Sequence, residues 1–221
     1  MTYEDAMLWL VMGKNMWHRK IALLMRKFGS PGRVWEASYE QLVQSGILKE
    51  EDAGELCESR ENFDPAAEWC KLEQKGIRFL TDRSEEFPKK LLDIPDRPYA
   101  LFIKGCIHSD GTEKRVAVIG ARVCSAYGRY AAGKFAGELA EYGIATVSGM
   151  ARGVDSAAHQ GTVDAGGRTY AILGCGVDIC YPPENKYLYD RIIEQGAVLS
   201  EYPPGTRPNA WQFPERNRLI S

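Results

Sequence analysis

"IATVSGMARGVDSAAHQGTVDAGG", residues 144–167, decides the fold. It opens on an apolar, β-branched run of strand length, Ile144 to Val147. It closes on a helical stretch that Gly166 and Gly167 stop. Between them lies a turn with two glycines and an arginine. Strand, turn and helix in that order make half of a βαβ unit, and the pattern recurs on both sides. "VAVIG" (116–120) reads as a buried strand and "YGRYAAGKFAGELAEYG" (127–143) as the helix after it. "TYAILG" (169–174) is a third strand, "PENKYLYDRIIEQG" (183–196) a helix entered through proline, and "AVLSEY" (197–202) a fourth strand. Short apolar strands alternating with helices predict an α/β fold with a doubly wound, mainly parallel sheet. Right-handed crossovers are expected to set helices on both of its faces.

The character changes near residue 75. In "NMWHRKIALLMRKFG", Trp17, Ile21, Leu24, Met25 and Phe28 recur at helical spacing and Gly29 ends the run. Ser38 with Gln41 three residues on is a capping box, and Asp64-Pro65 supplies an N-cap and a first helical proline. "GSPG" at 29–32 reads as an interhelical turn, with a DNA-contacting hairpin as the alternative. These signals predict a small all-α domain over 1–74 and a larger α/β domain over 75–221. Residues 76–115 form a connector with its own short strands, "IRFL" and "ALFIKG", around a proline-punctuated stretch.

No apolar run approaches the roughly 20 residues of a membrane span, and the N-terminus has acids where a signal peptide needs bases. The default location is the cytoplasm. Net charge is −2, and from Val116 onward ten basic residues face ten acidic ones. Bulk charge therefore gives no support to nucleic-acid binding, which would have to come from a local cluster. The six cysteines form no C-x-x-C pair, and three histidines offer no zinc spacing. They read as reduced thiols.

In parallel sheets ligands bind beyond the C-terminal ends of the strands. Three glycine-bearing loops, "GARVCSAYG", "SGMARGVD" and "GCGVDICYPPEN", open onto that rim. Each precedes a helix whose free N–H groups and dipole favour anions. The first is not a dinucleotide fingerprint, because Arg122 stands where G-x-G-x-x-G needs its second glycine. A guanidinium there can grip a phosphate itself. No G-x-x-x-x-G-K-[ST] loop occurs. Asp155 and His159, four apart on one helix, could work as an acid–base pair, but no motif marks a nucleophile, so a structural role is the expectation. In the tail, "EYPPGTRPNAWQFPERNRLIS", Arg216 and Arg218 alternate, as do Trp211 and Phe213. In an extended segment each pair shares a side, suited to phosphates and bases.

Taken together, "VAVIGAR", "SGMARGVDSAAH", "AILGCGVDICYPPENKYLY", "LSEYPPGT" and "FPERNRLIS" closely resemble the DNA-processing protein A (DprA/Smf) family, from the N-terminal helices to the last residue. The resemblance implies a sterile-alpha-motif-like helical domain followed by an extended Rossmann-like domain. It implies a non-enzymatic cytoplasmic protein, without cofactor, that binds single-stranded DNA, protects incoming DNA in natural transformation and loads the RecA recombinase. By the same resemblance the family's G-[SA]-R loop falls on Gly120, Ala121 and Arg122, with the arginine on DNA phosphate. S-G-x-A-x-G-x-D falls on Ser148, Gly149, Ala151, Gly153 and Asp155. The basic residue after P-x-N falls on Lys186, and the base-contacting aromatic three positions on falls on Tyr189. The wider DNA-binding set is completed by Arg152, Gly174, Gly176, Asn185, Arg216, Asn217 and Arg218. The family continues past "RNRLIS" with further strands and often a winged helix. The resemblance therefore implies a chain lacking that C-terminal part, and with it the region through which full-length members form homodimers.

The alternative is a nucleotide hydrolase resembling the LOG phosphoribohydrolases, which carry P-G-G-x-G-T-x-x-E. "AGGRTYAIL" (165–173) has the paired glycine but neither the proline, the Gly-Thr nor the glutamate.

Overall fold

The computed structural model describes residues 1–108 and 111–220. Six helices come first: α1 (Tyr3–Met12), α2 (His18–Phe28), α3 (Pro31–Glu36), α4 (Tyr39–Gln44), α5 (Glu50–Asn62) and α6 (Pro65–Gln74). Their ends are where local chemistry puts them. Gly29 closes α2 at φ 85°, a left-handed conformation that costs glycine nothing. Ser30 then caps α3, with Pro31 in its first turn, so "GSPG" is an interhelical turn. Ser38 and Gln41 form the expected capping box on α4, and Asp64 accepts from the Ala66 and Ala67 N–H groups ahead of Pro65.

The sheet follows, as β1 (Arg78–Thr81), β2 (Ala100–Gly105), β3 (Arg115–Ala117), β4 (Ala145–Ser148), β5 (Thr169–Ile172) and β6 (Ala197–Ser200). Strand order is β1-β2-β6-β5-β4-β3. The pairs β3–β4, β4–β5 and β5–β6 are parallel, and the connector strands β1 and β2 add two antiparallel pairings. The mainly parallel α/β fold is thus as the sequence predicts.

Two expectations change. Strands β3 to β6 follow one another in a single direction, so right-handed crossovers put α7 (Ala126–Glu141), α8 (Val154–Asp164) and α9 (Lys186–Gln195) in one layer on one face. Accordingly α7 packs on α8 and α8 on α9. The other face is covered by the connector and the tail, through Phe87, Leu91, Leu92, Ile94, Leu219 and Ile220. Second, "VAVIG" is not a buried strand. It shortens to β3 at the sheet edge, where Val116 is 38% and Ile119 61% exposed, because a strand with one neighbour is only half covered.

Alternation sorts the strands between the faces. Ala171, Val198 and Phe102 point to the helical side and join a cluster that runs through Leu188 and Ile192 of α9 to Met7, Trp9 and Leu10 of α1. Tyr170, Ile172, Leu199, Leu101 and Ile103 point to the opposite side. The arrangement brings the C-terminal ends of β3, β4 and β5 to one rim, where the three glycine loops meet the tail helix α10 (Gln212–Asn217).

Candidate nucleic-acid interface

The rim is assembled around Asp155, in the first turn of α8. Its buried carboxylate accepts the Gly149 N–H at 3.2 Å and also receives Gly120 and Ala151 N–H groups. One side chain thereby ties the loop after β3 to the loop after β4. Burial pushes its carboxyl pKa up, against those hydrogen bonds and the nearby Arg216 guanidinium. Gly153 brings the same two loops into contact. It sits at φ 82°, and a Cβ there would lie 2.2 Å from Ala121 O, while Val154 N donates to that oxygen at 3.2 Å. The loop bearing Arg122 is therefore seated on the start of α8. That start has no side-chain cap; its Val154, Ser156 and Ala157 N–H groups donate instead to the backbone carbonyls of Ala121, Ala151 and Gly153.

The tail supplies the decisive cation. The sequence suggests an extended segment, but residues 212–217 form the short helix α10, so Arg216 and Arg218 do not share a side. Arg216 turns inward, is 4% exposed, and donates through Nη1 to Gly149 O at 3.1 Å. Its Nε is buried with no partner in the structure. Desolvation lowers its pKa to about 10, with Asp155 opposing the shift, so it remains a cation at neutral pH. Arg218 turns away to Glu201, at 2.7 Å. Trp211 and Phe213 part likewise. Trp211 packs edge-on against Trp17, just before α2, whereas Phe213 stacks with Tyr181.

Gly120, Arg122, Asp155, Arg216 and Asn217 line one open cavity of about 350 Å³, walled by Ile119, Phe213 and Pro214. A smaller hollow next to it holds Gly149, Arg152, Tyr181 and Pro182, with Arg122, Phe213 and Arg216 common to both. Arg122 and Arg152 are exposed; Arg122 lies 5.2 Å from the Phe213 ring centre, and Arg152 pairs with Glu184. Three guanidiniums and two rings converge here, an arrangement that can bind an anion beside a flat apolar group.

Ser148, Gly174, Gly176 and Asn185 serve the rim as its scaffold. Ser148 is fully buried and donates to Val118 O at 2.6 Å. Gly174 lies under Phe213, where a Cβ would meet Cδ1 at 2.9 Å, and a Cβ on Gly176 would strike Asp178 and Pro203. Asn185 donates through Nδ2 to Met150 O (3.1 Å) and Ser156 Oγ (2.8 Å), joining the third loop to the second. Lys186 is exposed and bound by Asp190 one turn on.

Tyr189 is a correction. Its ring is 4% exposed on the buried side of α9 and its hydroxyl donates to Val177 O, so it presents no face to a base. His159 is not a partner for Asp155 either. It is fully buried with Nδ1 2.6 Å from Thr169 Oγ1, and burial drives its pKa down to about 3, so the ring is neutral.

Sequence reasoning missed Tyr181. It is 37% exposed and stands at the rim, yet it reads as part of a proline-rich loop. The available signal was its place in the third glycine loop, which opens onto the same rim as the other two.

Comparison with known proteins agrees with this architecture. The family model for DNA recombination-mediator protein A matches residues 78–221. Protein Smf of Synechocystis is 36% identical over 165 residues, covering 73% of this chain and 42% of that protein. DNA processing protein DprA of Streptococcus pneumoniae is 43% identical over 135 residues, covering 61% and 47%. The chain thus spans about half the length of these curated relatives, or less. The crystal structure of the S. pneumoniae protein superposes with a TM-score of 0.76 at 30% identity, covering all of this chain and 75% of that one. DNA processing protein A of Helicobacter pylori, whose single-stranded DNA binding mode has been described structurally, gives 0.58 at 32% identity over 66% of each chain. Fold, rim loops and sequence agree, and the chain belongs to the DNA recombination-mediator protein A family.

Proposed function

We propose that this chain binds single-stranded DNA at the rim, without strong sequence choice and without catalysis. Phosphates sit on Arg122 and Arg216, with Arg152, Lys186 and the flanking rim residues extending the track. The observation that carries this reading is Arg216, a buried cation that keeps an unpaired Nε–H beside an open cavity shared with Arg122. Holding a desolvated guanidinium there costs stability unless an anion uses it. The rim holds phosphate grips and few groups able to read base edges, which favours backbone binding over sequence readout.

In the cell this reading makes the protein a DNA-processing factor of the cytoplasm. It covers incoming single strands in natural transformation and passes them to the RecA recombinase, with a homodimer as the assembled form. Residues 1–74 and 75–221 act as its helical and Rossmann-like domains. Gel shifts with oligo-dT and blunt duplex test the reading. Oligo-dT is expected to bind more tightly, and Arg122→Ala to weaken it while circular dichroism stays native. Equal or tighter duplex binding, or an unaffected Arg122→Ala, refutes it. Chromatography of nucleoside monophosphates incubated with the protein should show no turnover.

A further inference from the structure

Residues 6–35 contain six Lys/Arg and no Asp/Glu, in a chain whose net charge is −2. This is a local basic cluster that the bulk charge conceals. Half of it is neutralised within the fold. Glu55 binds Lys14, Asp52 holds Lys20 at 2.6 Å, and Glu215 holds Arg19 at 2.9 Å. Arg26, Lys27 and Arg33 are exposed and have no acidic partner among the described residues. Helix α2 buries Ile21, Leu24 and Met25, so Arg19, Leu23, Arg26 and Lys27, at i, i+4, i+7 and i+8, share its solvent face. Arg33 joins them from α3, where a Cβ on Gly29 would lie 3.8 Å from its Nη1. Stabilising the end of α2 does not account for this charge. A helix C-terminus carries about half a negative charge, against three cations here, and the Gly29 N–H already caps Met25 O at 2.9 Å.

The other end of the same face reaches the rim. Arg19 holds Glu215 of α10, and the same short helix delivers Arg216 to the rim cavity. From Arg19 to Arg26 is seven residues, about 10 Å along the helix. We propose that the solvent face of α2, with Arg33, is a second phosphate-binding stretch, which takes up the single strand after it passes over α10 from the rim. This deepens the single-stranded DNA reading and rests on it. Cations without base-edge readers fit a phosphate backbone of any sequence. A single strand is flexible enough to follow the surface from one stretch to the other, whereas duplex DNA stays stiff over about 150 base pairs.

The test measures oligo-dT affinity by fluorescence anisotropy across a salt series, for two strand lengths. Strands of about 5 and about 30 nucleotides lie near the lower limit of single-strand site sizes and well above the upper one. Replacing Arg26, Lys27 and Arg33 together by Ala should lower the salt slope on the long strand by about 2, for three phosphate contacts at about 0.7 each. The slope on the short strand should not change, and replacing the two arginines by Lys should keep the wild-type slope on both. Arg122→Ala, by contrast, should weaken both lengths. An unchanged slope on the long strand, or an equal drop on both, overturns the second stretch while leaving the parent reading standing. A loss confined to blunt duplex assigns the cluster to duplex DNA and overturns it too. A wild-type protein that binds neither length overturns the parent reading and this proposal with it.

Discussion

Gly149→Ala probes the rim where Arg216 and Asp155 approach the loop after β4. The added Cβ would lie 2.7 Å from Arg216 Nη2, 3.0 Å from its Cζ and 2.8 Å from Asp155 Oδ2, where ordinary contact begins near 3.4 Å. The guanidinium must give way by about 0.7 Å, yet Arg216 is 4% exposed and has little space to enter. Its hydrogen bond to Gly149 O is the contact most directly strained. Overpacking of this kind costs about 1–3 kcal/mol. At roughly 2–4 °C per kcal/mol for a chain of this size, Tm should fall by about 2–12 °C. Binding should suffer separately. A hydrogen bond to a charged group contributes about 1.5–3 kcal/mol, so oligo-dT affinity should drop roughly 10- to 150-fold. The salt slope should lessen by about 0.7, the value of one single-strand phosphate contact. Thermal melts and anisotropy titrations at several salt concentrations read both effects. An unchanged Tm refutes the packing argument. A lowered Tm with affinity and slope intact refutes Arg216 as a phosphate ligand.

Tyr189→Phe should cost about 0.5–1.5 kcal/mol in urea unfolding, the worth of its bond to Val177 O, and leave oligo-dT affinity unchanged; a binding defect without a stability loss would restore it as a contact residue. His159 links stability to acid. Its folded-state pKa of about 3 lies below the ordinary 6.5, so the unfolded chain takes up its proton first. Stability from this group is complete above about pH 6.5 and is lost as pH falls toward 3, by about 2 kcal/mol between pH 7 and 5. Urea midpoints at those two values should differ less in His159→Asn than in wild type, and parallel loss in both would show that the acid sensitivity lies elsewhere.

The parallel part of the fold was legible because its signals are local. Apolar runs of strand length, helices stopped by glycine, and caps such as Ser38 and Asp64 are each written within a few residues. The antiparallel placement of β1 and β2 was not, since pairing across Phe102 and Ser200 is a long-range choice. The burial of "VAVIG" failed for a related reason, as apolar composition does not say which strand ends at an edge. At the rim, Arg122, Gly149, Gly153 and Asp155 were found because their spacing is fixed by one turn. Tyr189 was misplaced because helical spacing from Lys186 fixes relative position but not which side of α9 faces the core. Tyr181 was missed because its place at the rim depends on stacking with Phe213, 32 residues away in sequence.

The tail shows most clearly how remote sequence decides the site. Helix α10 has only six residues and no side-chain cap, so it gains little order from itself. Its position is set from outside. Trp17, which precedes α2, packs edge-on against Trp211 at 5.2 Å and Tyr202 at 5.7 Å. Arg19 of α2 holds Glu215 at 2.9 Å. Arg218 is anchored to Glu201 just past β6. Phe213 and Arg216 lie between these fastenings, and their inward direction follows from them. The alternating pattern of "WQFPERNR" suggested an extended strand because it was read alone. With α2 in place, the same residues divide into two groups. Trp211, Glu215 and Arg218 hold the helix down, and Phe213 and Arg216 project into the rim. The N-terminal helices therefore contribute to the candidate site without lining it, by fixing the element that delivers its buried cation.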